Sequence, residues 1–148
     1  MSVSVLPQNG VMDVFNLERF LDGQRFGYEY ALNEMKSGRK EGHWIWYVFP
    51  QMKGLGYSPN SQFYGISDKE EAKAYLEHPV LGARLREITE TLLAIEGKTA
   101  EEILSPIDAM KVKSCMTLFD AVCPDEIFAD VLAKYYDSKK DPATLKLL

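Results

Sequence analysis

The sequence predicts an all-α protein: a compact single-domain bundle of six to seven helices with one irregular aromatic and glycine-rich segment. Three observations lead there. Apolar residues recur at helical spacing along most of the chain, helix-start signatures precede most of those runs, and no pair of strand-like runs flanks a hairpin turn. With 148 residues and 46% hydrophobic content, the chain can build one core and is too short for two ordinary ones.

Residues 1–12 are polar, contain Gly and Pro and lack a period, so they read as a loose tail ahead of a helical domain over 13–148. Asn16 is a good N-cap, and Leu17, Phe20, Leu21, Tyr28, Leu32 and Met35 keep helical spacing up to Gly38, although Gly23 and Gly27 weaken the middle. Residues 42–67, GHWIWYVFPQMKGLGYSPNSQFYGIS, gather both tryptophans without a sustained helical period. Within them HWIWYVF is β-branched and aromatic enough for a strand, but a lone strand has no partner, so it reads as buried chain, irregular or partly helical.

Ser67-Asp68-Lys69-Glu70 is a capping box opening a helix to about Glu77. Pro79 opens the next, whose seam of Leu81, Leu85, Ile88, Leu92 and Ile95 ends at Gly97. Thr99-Ala100-Glu101-Glu102 is a second box, for a brief helix through Leu104. Ser105-Pro106 starts a helix to about Val122, Pro124 starts one with Ile127, Phe128, Val131, Leu132 and Tyr135 inward, and Asp141-Pro142 starts a last short turn. No internal repeat is visible.

The net charge of −5 and pI near 5.1 argue against unaided nucleic-acid binding, which needs a basic face. The longest apolar run, Trp44 to Phe49, is far below the ~20 residues that cross a bilayer, and MSVSVLPQNG lacks a basic head and an apolar signal core. A soluble, cytoplasmic protein with no membrane partner follows as the expectation. Cys115 and Cys123 on one helix would lie about 12 Å apart, beyond disulfide reach, and free thiols suit a reducing compartment. With no C-x-x-C or H-x-x-x-H spacing, neither a metal nor a cofactor is expected.

The chemistry-bearing candidates cluster. On the helix from Pro106, the stripe Ile107, Met110, Lys111, Ser114, Cys115, Leu118, Phe119, Val122 puts Lys111 and Ser114 on the expected core face. A lysine there snorkels, pairs with a carboxylate, or meets an anionic ligand, because burying it alone costs several kcal/mol. Asp108 either completes a cap with Ser105 or pairs with Lys111 three residues on, and Gln24 is either a satisfied core amide or one aimed into the same cavity. Gly54 and Gly56 let backbone N–H groups approach a ligand or simply make a turn; Ser58, Ser61 and Tyr64 add polar groups, and Gln51 is a turn-fixing or ligand-facing amide. Trp44 and Trp46 are core plugs or stacking surfaces, and His43 is a loop imidazole or a general acid or base.

With GHWIWYVFPQMKGLG, YLEHPVLGARLRE and MKVKSCMTLF, the chain resembles over about 13–148 a mostly bacterial, uncharacterised family, domain of unknown function 1810. The resemblance implies a mainly α-helical protein. Some members carry the label calpastatin, but a calpain inhibitor is a disordered repeat chain, whereas this sequence has the seams of a packed domain. AEEILSPIDAMKVKSCMTLFD is also similar to a segment of the NADAR proteins, all-α enzymes cleaving N-glycosidic bonds in ADP-ribosylated or riboflavin-pathway compounds. That similarity sets Lys111, Phe119 and Asp120 near matching places, with spacing off by about one residue and no counterpart of the catalytic glutamate. Two functions stand as expectations. One is an N-glycosidic hydrolase for a nucleotide- or ADP-ribosyl-like small molecule, with Lys111 on phosphate, a tryptophan on the ring, and a carboxylate such as Asp108 activating water or stabilising the cation. The other is a non-catalytic ligand-binding or protein-interaction module, alone or as a homodimer.

Overall fold

The computed structural model describes residues 13–148, so the expectation for 1–12 lies outside the described residues. Among the described residues run α1 (Glu18–Ser37), α2 (Ile45–Val48), α3 (Pro59–Phe63), α4 (Lys69–Glu77), α5 (Leu81–Ala94), α6 (Ala100–Leu104), α7 (Pro106–Val122), α8 (Ile127–Tyr136) and α9 (Pro142–Leu147). The protein is all-α. Seven of these nine helices match the runs read from sequence; α2 and α3 are short additions inside the aromatic, glycine-rich segment, which is partly helical. A single parallel bridge, Met52 to Ile66, pinches that segment into a loop, with the N–H groups of Lys53 and Ile66 donating to Ile66 and Gln51 carbonyls at 2.8 Å each.

Several helix starts differ from expectation, each for a local reason. Asn16 takes a left-handed backbone (φ 54°), and the Asp13 carboxylate caps α1 instead, accepting from Leu17 N–H at 2.6 Å and Glu18 N–H at 3.0 Å. The first capping box shifts by one residue: Asp68 accepts from Glu71 N–H at 2.8 Å, and Glu71 accepts from the N–H and hydroxyl of Ser67 at 2.9 Å each. The box at Thr99 and Glu102 forms as read. Pro79 precedes α5 without opening it, because His78 Nδ1 accepts the N–H groups of Val80 and Leu81 at 3.1 and 3.2 Å. Likewise α8 waits until Ile127.

Helix α7 is the hub, packed against α4, α6, α8 and α9, while α5 packs against α1, α4 and α8. Its inward face corrects the sequence reading: Ile107 and Met110 are 68% and 71% exposed, and Ala109, Val112, Cys115, Met116 and Phe119 are buried. Bulk misled the pattern. The small Ala109 and Val112 let neighbours approach closely enough for the Tyr136 hydroxyl to donate to the Ala109 carbonyl at 2.6 Å. From Ser114 to Asp120 every residue is buried.

The two glycines inside α1 have a packing reason. The Tyr47 side chain of α2 lies flat against the helix there, so a Cβ on Gly23 would stand 2.8 Å from Tyr47 Cγ, and one on Gly27 would overlap the Tyr47 hydroxyl. The chain entering α2 is pinned by Glu34 Oε1, which accepts from Glu41 N–H (2.9 Å), Gly42 N–H (3.0 Å) and Trp44 Nε1–H (2.7 Å). Burial pushes the Glu34 carboxyl up, but these donors outweigh it and hold it below the ordinary range. Glu34→Gln is expected to cost about 1–3 kcal/mol in urea unfolding. Because the folded-state pKa is the lower one, Glu34 contributes fully above its unfolded value, about pH 4–5, and loses that contribution as pH falls through the folded value. The variant should therefore show a flatter stability profile on the acid side.

Candidate functional site

Between the loop pinched by Met52 and Ile66 and the first half of α7 lies a cavity of about 370 Å³. The loop and the α2 segment leading into it supply aromatic and apolar wall from Trp46, Met52, Leu55 and Tyr64, with polar groups from Gln51 and Ser61. Helix α7 supplies Ile107, Met110, Lys111, Lys113 and Ser114, and Asp141 with Ala143 closes the α9 end. A wider hollow of about 630 Å³ near the C-terminal ends of α1 and α5 has no aromatic side chain in its wall.

The electrostatics are asymmetric. Lys111 Nζ stands 4.1 Å from the centroid of the Trp46 ring, a cation–π contact, and 3.4 Å from Asp108 Oδ1. Asp108 Oδ2 is held more closely by Lys40 Nζ, at 2.7 Å. Lys113 also reaches the cavity wall and makes no ion pair among the described residues. At the other end, Asp141 caps α9: its Oδ2 accepts from Thr144 Oγ1 (2.5 Å), Ser114 Oγ (2.8 Å) and Thr144 N–H (3.2 Å). Burial raises the Asp141 carboxyl, yet hydrogen bonds from Thr144, Ser114 and the Ala143 backbone hold it below the ordinary range, so it stays ionised. Burial pushes the Tyr64 hydroxyl up, keeping it a neutral donor. Gln51 is part of this wall, and its Nε2 is buried with no hydrogen-bond partner among the described residues, a state that costs about 1–3 kcal/mol.

Of the residues singled out in the sequence, Lys111, Trp46, Gln51, Gly56, Ser61, Tyr64 and Ser114 come together on this wall. The others do not. Gln24 is 2% exposed and satisfied in the core, its Nε2 donating to Tyr47 carbonyl (2.7 Å) and Tyr75 hydroxyl (3.0 Å) and its Oε1 accepting from Arg84 (3.3 Å). Trp44 is a core plug bound to Glu34, with Lys40 Nζ 4.9 Å over its ring. His43 is exposed and outside the cavity wall, and Ser58 is the exposed N-cap of α3, accepting from Ser61 N–H at 3.1 Å. Gly54 is an exposed turn residue with φ 105°. Asp108 lies off the wall between its two lysines, while Phe119 and Asp120 are buried elsewhere in α7, Asp120 facing Lys140 Nζ at 3.3 Å.

Sequence reading missed Asp141 and Lys113. Asp141 carried a visible signal, the Asp-Pro helix start, but its approach to Ser114 across 27 positions is tertiary. Lys113 sits two residues from Lys111, off the stripe read from the sequence, and reaches the wall as the i+3 neighbour of Met110.

The fold is that of an all-α protein. Residues 14–148 match the family described as "Protein of unknown function (DUF1810)", and the chain belongs to that family. Among solved structures, it is similar to the conserved hypothetical protein Rv1873 from Mycobacterium tuberculosis, at 46% identity and a TM-score of 0.90 over 92% of this chain and 98% of that one. No curated protein matches the chain. Among the described residues no helix is long and apolar enough to cross a membrane, and no group of three or more His, Cys, Asp or Glu side chains is placed to hold a metal ion.

Proposed function

We propose that the cavity takes a small molecule bearing an oxyanion and a flat ring, a nucleotide- or ADP-ribosyl-like compound, and hydrolyses its N-glycosidic bond. The observation that carries this reading is the pairing of two wall cations, Lys111 and Lys113, with an ionised carboxylate, Asp141, in one aromatic-lined cavity that also holds an unpartnered buried amide. The lysines hold the phosphate or carboxylate, and Tyr64 and Trp46 form the flat apolar walls beside the ring. In the reaction the bond from the anomeric carbon to nitrogen breaks, water adds its oxygen to that carbon, and the water proton ends on the departing nitrogen. Positive charge develops on the sugar in the transition state, and Asp141 is the carboxylate on this wall suited to stabilise it. Two free thiols, Cys115 and Cys123, support a reducing, cytoplasmic setting.

Thermal-shift screening against ADP-ribose, NAD and pyrimidine nucleotides, followed by product analysis, tests the reading. A shift with at least one compound and its loss in Lys111→Ala is the expected result. No shift with any of them, together with an unaltered profile for Lys111→Ala, ends it.

A second reading rests on a different observation. Ile107 and Met110, on the cavity wall, are 68% and 71% exposed, and Leu145 and Leu147 of α9 are 46% and 42% exposed. Exposed apolar side chains on these two helices suit a non-catalytic interaction module, in its simplest form a homodimer. Sedimentation that stays monomeric at high concentration counts against it.

A further inference from the structure

We propose that Lys40, which is not on the cavity wall, is a positioning residue that sets the anion affinity of the site by neutralising Asp108 and so leaving Lys111 free for the ligand. The inference rests on the binding reading above and adds a control over it. Three charged side chains run in a line from the core to the cavity: Lys40, Asp108 and Lys111, with side chains 6%, 16% and 25% exposed.

A single carboxylate charge is shared by two cations, and the sharing is unequal. The Lys40 contact, 2.7 Å, has hydrogen-bond length, and Lys40 also donates to the Gly42 carbonyl. The Lys111 contact, 3.4 Å, is longer than an ordinary N–H···O bond. Burial explains the preference. Lys40 has almost no access to water and is compensated by Asp108 and the Gly42 carbonyl, whereas Lys111 keeps part of its solvation and rests on the face of Trp46. The line as a whole therefore carries an excess positive charge, and that excess sits at Lys111, on the same cavity wall as Lys113. An oxyanion entering the cavity completes the balance while breaking only the weaker of the two contacts.

Removing Lys40 reverses the assignment. Asp108 then has Lys111 as its sole partner in the line, draws it from Trp46, and competes directly with the ligand. Removing Asp108 as well should release Lys111 again. That rescue separates positioning from simple structural damage, because a displaced Trp44, against which Lys40 also packs, is not restored by deleting a carboxylate.

The test compares the wild type with Lys40→Met, Lys40→Arg, Asp108→Asn and the double variant Lys40→Met/Asp108→Asn. Titrations use ADP-ribose and inorganic pyrophosphate in separate arms, which distinguishes a nucleotide from a bare oxyanion. Lys40→Met should bind about tenfold more weakly, Lys40→Arg close to wild type, Asp108→Asn at least as tightly as wild type, and the double variant should regain the lost affinity. Wild-type affinity in Lys40→Met, or a double variant as weak as Lys40→Met, overturns the proposal. If neither probe binds the wild type, the ligand reading fails, and the positioning is read without ligand by NMR from the ring-current shift of the Lys111 ε-methylene. That shift should diminish in Lys40→Met and return in the double variant; an unchanged shift in Lys40→Met overturns the proposal.

Discussion

Replacing Arg19 by methionine is expected to lower the unfolding free energy by about 3–5 kcal/mol. Arg19 is 8% exposed and lies 2.5 Å from Glu71, itself 3% exposed. Its guanidinium also donates to the carbonyls of Phe15 (2.7 Å), Asn16 (2.8 Å), Phe63 (2.8 Å) and Gly65 (3.0 Å). One side chain thus ties the start of α1 to α4 and to the backbone on either side of Tyr64. Methionine keeps much of the packing volume but leaves a buried carboxylate without its cation and the carbonyls of Phe15, Phe63 and Gly65 without that donor, while the Asn16 carbonyl keeps the backbone N–H of residue 19 at 3.2 Å. The loss is read by guanidinium unfolding at neutral pH. In Arg19→Met/Glu71→Met the buried charge is gone, so the double variant should be less destabilised than the sum of the single ones. A loss below about 1 kcal/mol in Arg19→Met would mean that the guanidinium is replaceable by water, and the ion pair would then be no more than a surface contact.

The sequence made much of this architecture legible through local signals. Helical periodicity and the box at Thr99 are properties of neighbouring residues, so seven of the nine described helices could be read in order. The cavity was also partly legible, because a lysine at a helical position beside apolar neighbours is costly to bury, and a glycine-rich aromatic stretch has no regular structure of its own. What stayed hidden depends on contacts between distant residues. Gln24 and Trp44 looked available because nothing local satisfies them; Tyr47, Tyr75 and Glu34 do so only after folding. Asp108 looked like a carboxylate for chemistry, yet Lys40, from the turn after α1, occupies it. Gly23 and Gly27 looked like weaknesses in α1 because the Tyr47 side chain that fills their place comes from another helix. The inward face of α7 was misread because hydrophobic bulk identifies apolar residues without saying which neighbour comes close.

The second large effect is expected at Gly65, where Ala should cost about 1–3 kcal/mol or more and lower the melting temperature by roughly 5 °C. The reason is proximity of two backbones. A Cβ on Gly65 would stand 2.6 Å from Lys53 Cα and 2.7 Å from the Ser61 carbonyl oxygen, and neither atom can rotate out of the way. The Met52–Ile66 bridge holds the chains at this distance, and the Gly65 carbonyl is itself engaged by Arg19. Relief therefore requires the loop to open, moving Ser61 and Tyr64 away from α7 and enlarging the cavity they line. On the binding reading proposed above, Gly65→Ala should consequently lose affinity for ADP-ribose even at temperatures where its helices remain folded, by circular dichroism. Gly54→Ala is the control: its added Cβ meets only Leu147, at 3.6 Å, so its cost of about 1–2 kcal/mol comes from the left-handed backbone at φ 105° and should leave binding in place. Equal binding losses in the two variants would show that the loop responds to any strain, and that the close approach at Gly65 does not by itself hold the cavity in shape.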